Sequence, residues 1–385
     1  TGLQSQFGEA PPRALVAPGP GAAAAWLPSA ADLLLGCVSE SDAGIATAER
    51  LACELGATFR NEESPVRRHK WLLHETLRAH GLSACDQALC RDVEDLKRFF
   101  DESPDMEEVV VKPARGVGSE GVRVCDSLED AAEAMRALLR ADRYGSFSMK
   151  NSDVLAQRRL RGEEYAVDTV SRNGEHKVVA VWRYDKRRLA ADAPRVYFCS
   201  QLVSDYPETL EPYVVRCLTA LGHRCGPTHT EVIDDEKKGP TIVEVNARFH
   251  NQDFAPLTAA LLGVTQLEAA AAALEPSEEA WCQIPASPPR NLLSGAARLI
   301  HLVSYAEGEL ERLNDDVFDF IANLPTVVKM DIYATQKGDR IRRTVDVTTD
   351  AGYVLLASTD DGPQVHRDYE AVVERQKDLF ILKAA

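Results

Sequence analysis

Residues 116–121 read Gly-Val-Gly-Ser-Glu-Gly, and they run directly into a strand. A GxGxxG loop binds a dinucleotide only when a helix comes next, so that the helix N-terminus meets the pyrophosphate. Here Val122-Arg123-Val124-Cys125 comes next, and a dinucleotide-binding fold is excluded. A kinase glycine loop needs its strand lysine downstream. Lys112 instead lies upstream, and Arg123 stands where valine is expected. His366-Arg367-Asp368 copies a kinase tripeptide, but no Asp-Phe-Gly comes after it, and it reads as an accidental match on a solvated loop. A Walker A loop is excluded too, because Val122 and not lysine succeeds Gly121. The pattern left is strand, Lys112-Pro113, glycine loop, strand. Such a hairpin can fold its tip over phosphates, with Gly116, Gly118 and Gly121 letting backbone N–H groups approach an oxyanion. The alternative is a surface hairpin with no ligand.

A second constraint lies about 120 residues on. Thr241-Ile-Val-Glu-Val-Asn-Ala-Arg-Phe249 alternates, placing Glu244, Asn246 and Arg248 on one face. On the preceding strand His229, Glu231 and Ile233 share a face. A loop of four residues, 236–239, sets Glu231 opposite Glu244 and His229 opposite Asn246. Like charges directly opposite destabilise a strand pair. A divalent cation between them reverses the sign, and two carboxylates with an amide are hard oxygen donors of the kind Mg²⁺ accepts. Magnesium held by few protein groups completes its shell with substrate phosphates. Arg248 points the same way and can neutralise a developing anion. The alternative is a polar sheet face whose charges are merely solvated.

The remaining punctuation gives an α+β chain of several mixed sheets. Leu33–Val38 suits a buried strand, and Ala43–Leu55 an amphipathic helix closed by Gly56. Ser64-Pro65 opens a helix that runs through Trp71 and Leu77 to Gly81. Asp92 and Ser127-x-x-Asp130 open two more. Asn173-Gly174 marks a hairpin, and a helix runs from Glu208 to Leu221. The Ala-rich stretch 258–274 is helical, Pro285, Pro288 and Pro289 lie in a linker, and a last helix spans Tyr369–Gln376.

Forty-four Lys and Arg against sixty Asp and Glu leave a net charge of −16, the wrong sign for gripping nucleic acid. No apolar run approaches the ~18 residues of a membrane span, so neither nucleic acid nor membrane is an expected partner. Nine cysteines without CxxC spacing speak against zinc or a disulfide framework, and are expected to be buried, reduced thiols of a cytoplasmic, intracellular protein. The chain starts at Thr1 without a methionine, and is expected to be part of a longer polypeptide.

Together these residues resemble the ATP-grasp ligases, with the pieces in that family's order. Arg68-His69-Lys70 is similar to the first ATP-contacting lysine, and Val-Val-Val-Lys112-Pro with the 116–121 loop to the second lysine and phosphate-covering loop. Leu155-Ala-Gln157-Arg-Arg-Leu160-Arg-Gly162-Glu-Glu164 resembles the hinge that binds adenine and presents a glutamate to the ribose. Thr230-Glu231 and Glu244-Val-Asn246-Ala-Arg248 resemble the magnesium ligands and the arginine beside the acyl phosphate. Gly338-Asp339 through Tyr353 resembles a C-terminal lid. Within the superfamily, His-Thr-Glu with Glu-Val-Asn-Ala-Arg is most similar to the L-amino-acid ligases of bacilysin-synthetase and carnosine-synthase type.

The resemblance implies an α+β ATP-grasp fold, two subdomains sandwiching ATP. A partial N-terminal α/β region (1–63) would precede the ATP-grasp domain (64–275), and a lid subdomain (276–385) would come last. It implies ATP and Mg²⁺, two ions with Mn²⁺ able to substitute, and a carboxylate and an amine, amino acids in particular, as substrates. The implied nucleotide contacts are Lys70, Lys112, Gly116, Gly118, Ser119, Gly121, Gln157, Arg158, Leu160 and Glu164. Glu231, Glu244 and Asn246 would hold metal, and Arg248 is the expected catalytic residue. Arg183, His229, His250 and Gln252 are candidates for the substrate pocket. Departures from the family pattern are Gln157-Arg158, where acidic residues are common, and Phe249–Asp253, where a small glycine-rich turn is usual. Two rival functions remain: a carboxylase activating bicarbonate, and a nucleotide-binding module without catalysis.

Overall fold

The computed structural model describes residues 35–116, 121–141, 153–189, 195–290 and 295–383. Helices α1 (Ile45–Glu54) and α2 (Lys70–Ala79) lead into a four-stranded unit. It contains β1 (Gln87–Cys90), α3 (Val93–Asp101), β2 (Val109–Pro113), β3 (Arg123–Cys125), α4 (Leu128–Arg140) and β4 (Val154–Arg158). Its strands run in the order β1-β4-β2-β3, antiparallel throughout. The helices start where side-chain caps allow: the Asp95 N–H donates to Asp92 Oδ1 at 2.9 Å, and the Asp130 N–H to Ser127 Oγ at 3.2 Å. Leu96, Phe99, Met135 and Leu138 then bury against Val109, Val111 and Ala156. The alternation of β2 leaves Val110 and Lys112 for the opposite face.

The second unit continues with β5 (Gly162–Arg172), β6 (Glu175–Arg188), β7 (Arg195–Leu202), α5 (Leu210–Ala220), β8 (Gly226–Asp235) and β9 (Gly239–Asn246). Helices α6 (Ala255–Leu262), α7 (Gln266–Leu274) and α8 (Glu279–Gln283) come next, then β10 (Ala296–Leu302), β11 (Gly308–Leu313), α9 (Asp315–Ala322), β12 (Val327–Ile332) and β13 (Arg340–Ile341). The described chain closes with β14 (Gly352–Ser358), α10 (Gly362–Arg375) and β15 (Phe380–Leu382). Eight of these strands form one antiparallel sheet in the order β12-β14-β10-β7-β6-β5-β8-β9, and β13-β11-β15 form a small one. The sheet therefore crosses residue 275 without a break. Along β5 the side chains divide: Tyr165 and Val167 bury under α2 and α5, with Leu73, Leu77, Val214 and Leu218. Glu164, Ala166 and Asp168 point to the other face, part of which is closed by Trp182, Phe254 and Leu257.

The α+β expectation holds, with differences of detail. The named sheets are antiparallel rather than mixed. In the described part of 33–38, Leu35 and Val38 are exposed and only Gly36 bridges to Phe59, so apolar content there did not mean a buried strand. The Ser64 helix is a 3₁₀ turn (Pro65–Arg67) broken from α2. The Ala-rich run divides at Gly263, whose φ of +68° ends α6, before a Thr265/Glu268 capping box starts α7. His366-Arg367-Asp368 lies inside α10, not on a loop, because that helix starts at Gly362. Asp368 is buried there and accepts from the Thr326 N–H (2.9 Å) and hydroxyl (2.7 Å). The Asn173-Gly174 hairpin forms as expected, with φ of +54° and +91°.

Gly162 joins the two units. Its φ is +156°, and a Cβ built on it would sit 1.9 Å from the Asp234 carbonyl oxygen on β8. Gly162→Ala is expected to cost about 2 kcal/mol or more. A melting temperature lowered by several degrees would report it, and an unchanged one would contradict this strain.

Candidate active site

A cavity of about 1260 Å³ lies between the four-stranded unit and the bare part of the eight-stranded face. From the first unit Lys112, Gly116, Gln157, Arg158 and Leu160 reach it. From the second come Glu164, Glu231, Glu244 and Arg248, so the cavity draws these candidates together. Asn246 comes two residues after Glu244 on the same strand face, and Gly121 begins the return of the loop with φ +71°. Gly118 and Ser119 lie outside the described residues.

The carboxylate pair stands in the register that a 236–239 loop predicts. Glu231 is opposite Glu244 and His229 opposite Asn246, with an irregularity between Glu231 and Val232. Burial and mutual repulsion both disfavour two ionised groups this close. Each has its own counterweight. Lys70 Nζ lies 2.7 Å from Glu244 Oε2, and Asn246 Nδ2 donates to Glu244 Oε1 at 2.9 Å. Against the burial penalty, Lys70, Asn246 and Arg68 hold the Glu244 carboxyl well below the usual range. Glu231 accepts from the Tyr197 hydroxyl at 3.2 Å and lies 3.6 Å from His229 Nε2. Burial and Glu244 push its pKa up, but His229 and Lys186 bring it below the ordinary value. His229 in turn is pushed up to about 8, because Asp168 and Glu231 outweigh its burial.

Two carboxylates and an amide kept in donor form suit a hard divalent cation, so the residues fit Mg²⁺. In this arrangement Asn246 Oδ1 accepts from Arg68 Nη1 (3.0 Å) while its Nδ2 donates to Glu244. That amide must be released before its oxygen can turn to a metal.

Lys70 also donates to the Gly116 carbonyl at 3.2 Å, tying α2 to the stem of the glycine loop. Lys112 is only 5% exposed, and burial, helped by the Lys70 ammonium, lowers its pKa to about 8. A polyphosphate beside it favours the ammonium, so ATP binding near pH 8 is expected to take up protons. Above pH 8 the affinity should fall, by up to about tenfold per pH unit, until the pKa of the bound form is reached. Calorimetry in buffers of different ionisation heat reads the uptake, which Lys112→Met should abolish. Equal uptake by that variant would remove Lys112 from the phosphate site.

Several expected residues sit differently from the sequence reading. The strand ends at Asn246, so the alternation does not carry through to Phe249. The Arg248 N–H donates to the Asn246 carbonyl at 2.8 Å, its Nε lies 2.9 Å from Asp42 Oδ1, and its Nη1 donates to the Phe249 carbonyl at 2.7 Å. Glu164 is met by Lys186 Nζ at 2.6 Å, and burial notwithstanding, Glu164 and Glu231 hold that ammonium well above the ordinary lysine value. The Gln157 side chain donates to Gln87 (3.0 Å), and Arg158 pairs with Asp86 (3.1 Å) and Asp105 (2.8 Å). Gln157 and Arg158 therefore brace the unit, while their strand still borders the cavity.

Among the pocket candidates, His229 and His250 line the cavity and Arg183 does not. The side chain of Gln252 lies outside the described residues. His250 stacks on Phe254 (3.8 Å between ring centres) and turns Nδ1 to Asp168 Oδ2 at 2.9 Å. Sequence reasoning missed Asp42, Asp168, Tyr184, Lys186, Tyr197 and His301. The alternation Trp182-Tyr184-Lys186 on β6 was a usable signal for two of them. Asp42 gave none, since it reaches Arg248 only through tertiary packing.

Residues 106–255 match the ATP-grasp domain family. Over 352 residues the chain is 26% identical to dapdiamide A synthase of Enterobacter agglomerans, spanning 89% of this chain and 79% of that one. Its fold is similar to that of the L-amino acid ligase from Bacillus licheniformis, with TM-score 0.72, 16% identity, and 95% and 86% of the two chains covered. It is also similar to the biotin carboxylase domain of Hydrogenobacter thermophilus 2-oxoglutarate carboxylase. There the TM-score is 0.58 and the identity 18%, with 87% and 71% covered.

Proposed function

We propose that the chain, whose residues 106–255 match the ATP-grasp domain, is a carboxylate–amine ligase that activates one amino acid's carboxylate as an acyl phosphate. The amine of a second amino acid then displaces the phosphate, giving an amide, ADP and phosphate. The observation that carries the reading is the cross-strand Glu231/Glu244 pair with Asn246 and Arg248 beside it, Lys70 paired to Glu244 and Lys112 lining the same cavity. The names of the relatives, a dapdiamide synthase and an L-amino acid ligase, support amino acids as the substrate class.

Lys70 and Lys112 neutralise the polyphosphate, and the 116–121 loop covers it with backbone N–H groups. Glu231, Glu244 and Asn246 would hold Mg²⁺, which supplies charge neutralisation on the phosphates. The expected pair of ions is counted by titrating metal against turnover. Arg248 lies beyond these ligands, where negative charge gathers on the acyl phosphate and then on the tetrahedral carbon's oxygen. Asp42 holds its guanidinium there. A phosphate-release screen of the twenty amino acids, singly and in pairs, tests the reading. Release that needs bicarbonate and no amino acid would make the chain a carboxylase. ATP binding without turnover on any pair would make it a silent nucleotide-binding module.

A further inference from the structure

We propose that His301, oriented by Asp350, is the general base that takes a proton from the incoming amine; the inference rests on the ligase reading above. An amine reaches such a site at neutral pH as an ammonium, which has no lone pair and cannot attack a carbonyl. Something in the cavity must accept a proton first. The two carboxylates nearest the phosphates are already engaged by Lys70 and His229.

His301 lies on β10, opposite Tyr353 of β14, on the sheet face that carries Glu231 and Glu244, and it lines the same cavity. Its ring packs against Tyr197 with centres 5.7 Å apart, and the Tyr197 hydroxyl donates to Glu231 Oε1. The imidazole therefore stands one aromatic side chain away from the carboxylate pair, on the side toward the C-terminal strands.

The tautomer is set by the partner. His301 Nδ1 lies 2.6 Å from Asp350 Oδ2, on a side chain only 4% exposed. A carboxylate can only accept, so Nδ1 carries the proton and Nε2 carries the lone pair. This is the orientation by which a buried aspartate readies a histidine as base. The other two imidazoles of the cavity are spent. His229 and His250 both turn Nδ1 toward Asp168, and their Nε2 atoms share the Tyr184 hydroxyl at 3.4 and 3.3 Å. Among the described residues His301 Nε2 makes no hydrogen bond. The titratable groups around the ring are Asp350 on the loop before β14, Tyr353 on β14 and Tyr197 on β7. The Lys186 ammonium sits 4.2 Å from the Tyr197 ring centre.

The step balances. Nε2 accepts one proton from R′–NH₃⁺, and the freed nitrogen pair forms the C–N bond at the acyl carbon. The C–O bond to phosphate then breaks with its electron pair, and the leaving phosphate takes the second amine proton. The products are R–CO–NH–R′, HPO₄²⁻ and a protonated His301.

The test separates activation from capture, using the full chain and the amino-acid pair that releases most phosphate in the screen. Hydroxylamine is the second probe, since it is largely neutral at pH 7 and attacks an acyl phosphate without a base. His301→Gln is expected to form hydroxamate within threefold of the parent, while amide synthesis at pH 7 falls by about a hundredfold. The deficit should shrink as pH rises and free amine accumulates, and added imidazole should restore part of the rate to His301→Ala. Asp350→Asn should show the same split more weakly, with its melting temperature reporting any loss of fold. Amide synthesis by His301→Gln within threefold of the parent overturns the proposal. Equal loss of hydroxamate and amide overturns it too, because His301 would then serve activation or folding. If the parent forms neither product with any pair, the ligase reading itself falls.

Discussion

Replacing Glu244 with glutamine is expected to lower Mg²⁺-dependent turnover by at least ~100-fold, the effect of losing ~3 kcal/mol of electrostatic stabilisation. The substitution keeps the side chain's size and can still accept from Asn246, so the β8–β9 pair should fold normally. It removes the charge that faces both Lys70 and any bound cation. A glutamine ends the repulsion with Glu231 but gives up the Lys70 pairing that holds the carboxyl well below the usual range, so melting temperature without nucleotide should fall modestly. A loss of turnover far larger than the loss of stability would place the charge in the chemistry and not in the fold. Turnover equal to the parent's at low Mg²⁺ would take Glu244 out of the site.

Arg248 offers a sharper division. Arg248→Lys is expected to bind ATP with parental affinity while losing most amide synthesis, and Arg248→Ala to lose nearly all of it. Lysine keeps the charge but cannot fork hydrogen bonds onto an oxyanion and a phosphate together. It would also give up the 2.9 Å approach of Nε to Asp42 that sets where the guanidinium points. A group that meets charge only as the reaction proceeds lowers kcat with little change in ground-state binding. Parental turnover with collapsed ATP affinity would make Arg248 a nucleotide clamp instead.

How far the chain could be read in advance depended on whether a residue's role was local. Glu231, Glu244 and Asn246 were legible because strand periodicity and a short loop fix cross-strand neighbours close in sequence. Lys112 was legible for the same reason, on the first of two paired strands that flank the glycine loop. Arg248 was placed in the right cavity with the wrong support. Alternation was extended past the strand's true end, and the contact that aims its side chain comes from Asp42, more than 200 residues away in sequence. Asp368 shows the opposite error. An apparently solvated tripeptide is helical and buried because Thr326, from a distant turn, offers it two donors. His301 sits in no motif, and Asp350, though inside the Gly338–Tyr353 stretch, gave no sign of its partner, because the two meet only where β10 pairs with β14.

The unbroken eight-stranded sheet has a mechanical consequence. Strands on either side of residue 275 share one hydrogen-bonded plate, so the C-terminal strands cannot swing independently of the carboxylate pair. The chain passes between that plate and the four-stranded one twice, after α2 at 80–86 and again at 159–161. These two crossings tie the plates together along one seam. Asp86 is the pin: it holds Arg158 from one leaf and Lys238 from the other. His301, Tyr197 and Glu231 all stand on the larger plate, so their mutual spacing is set by that one sheet and not by the angle between the plates.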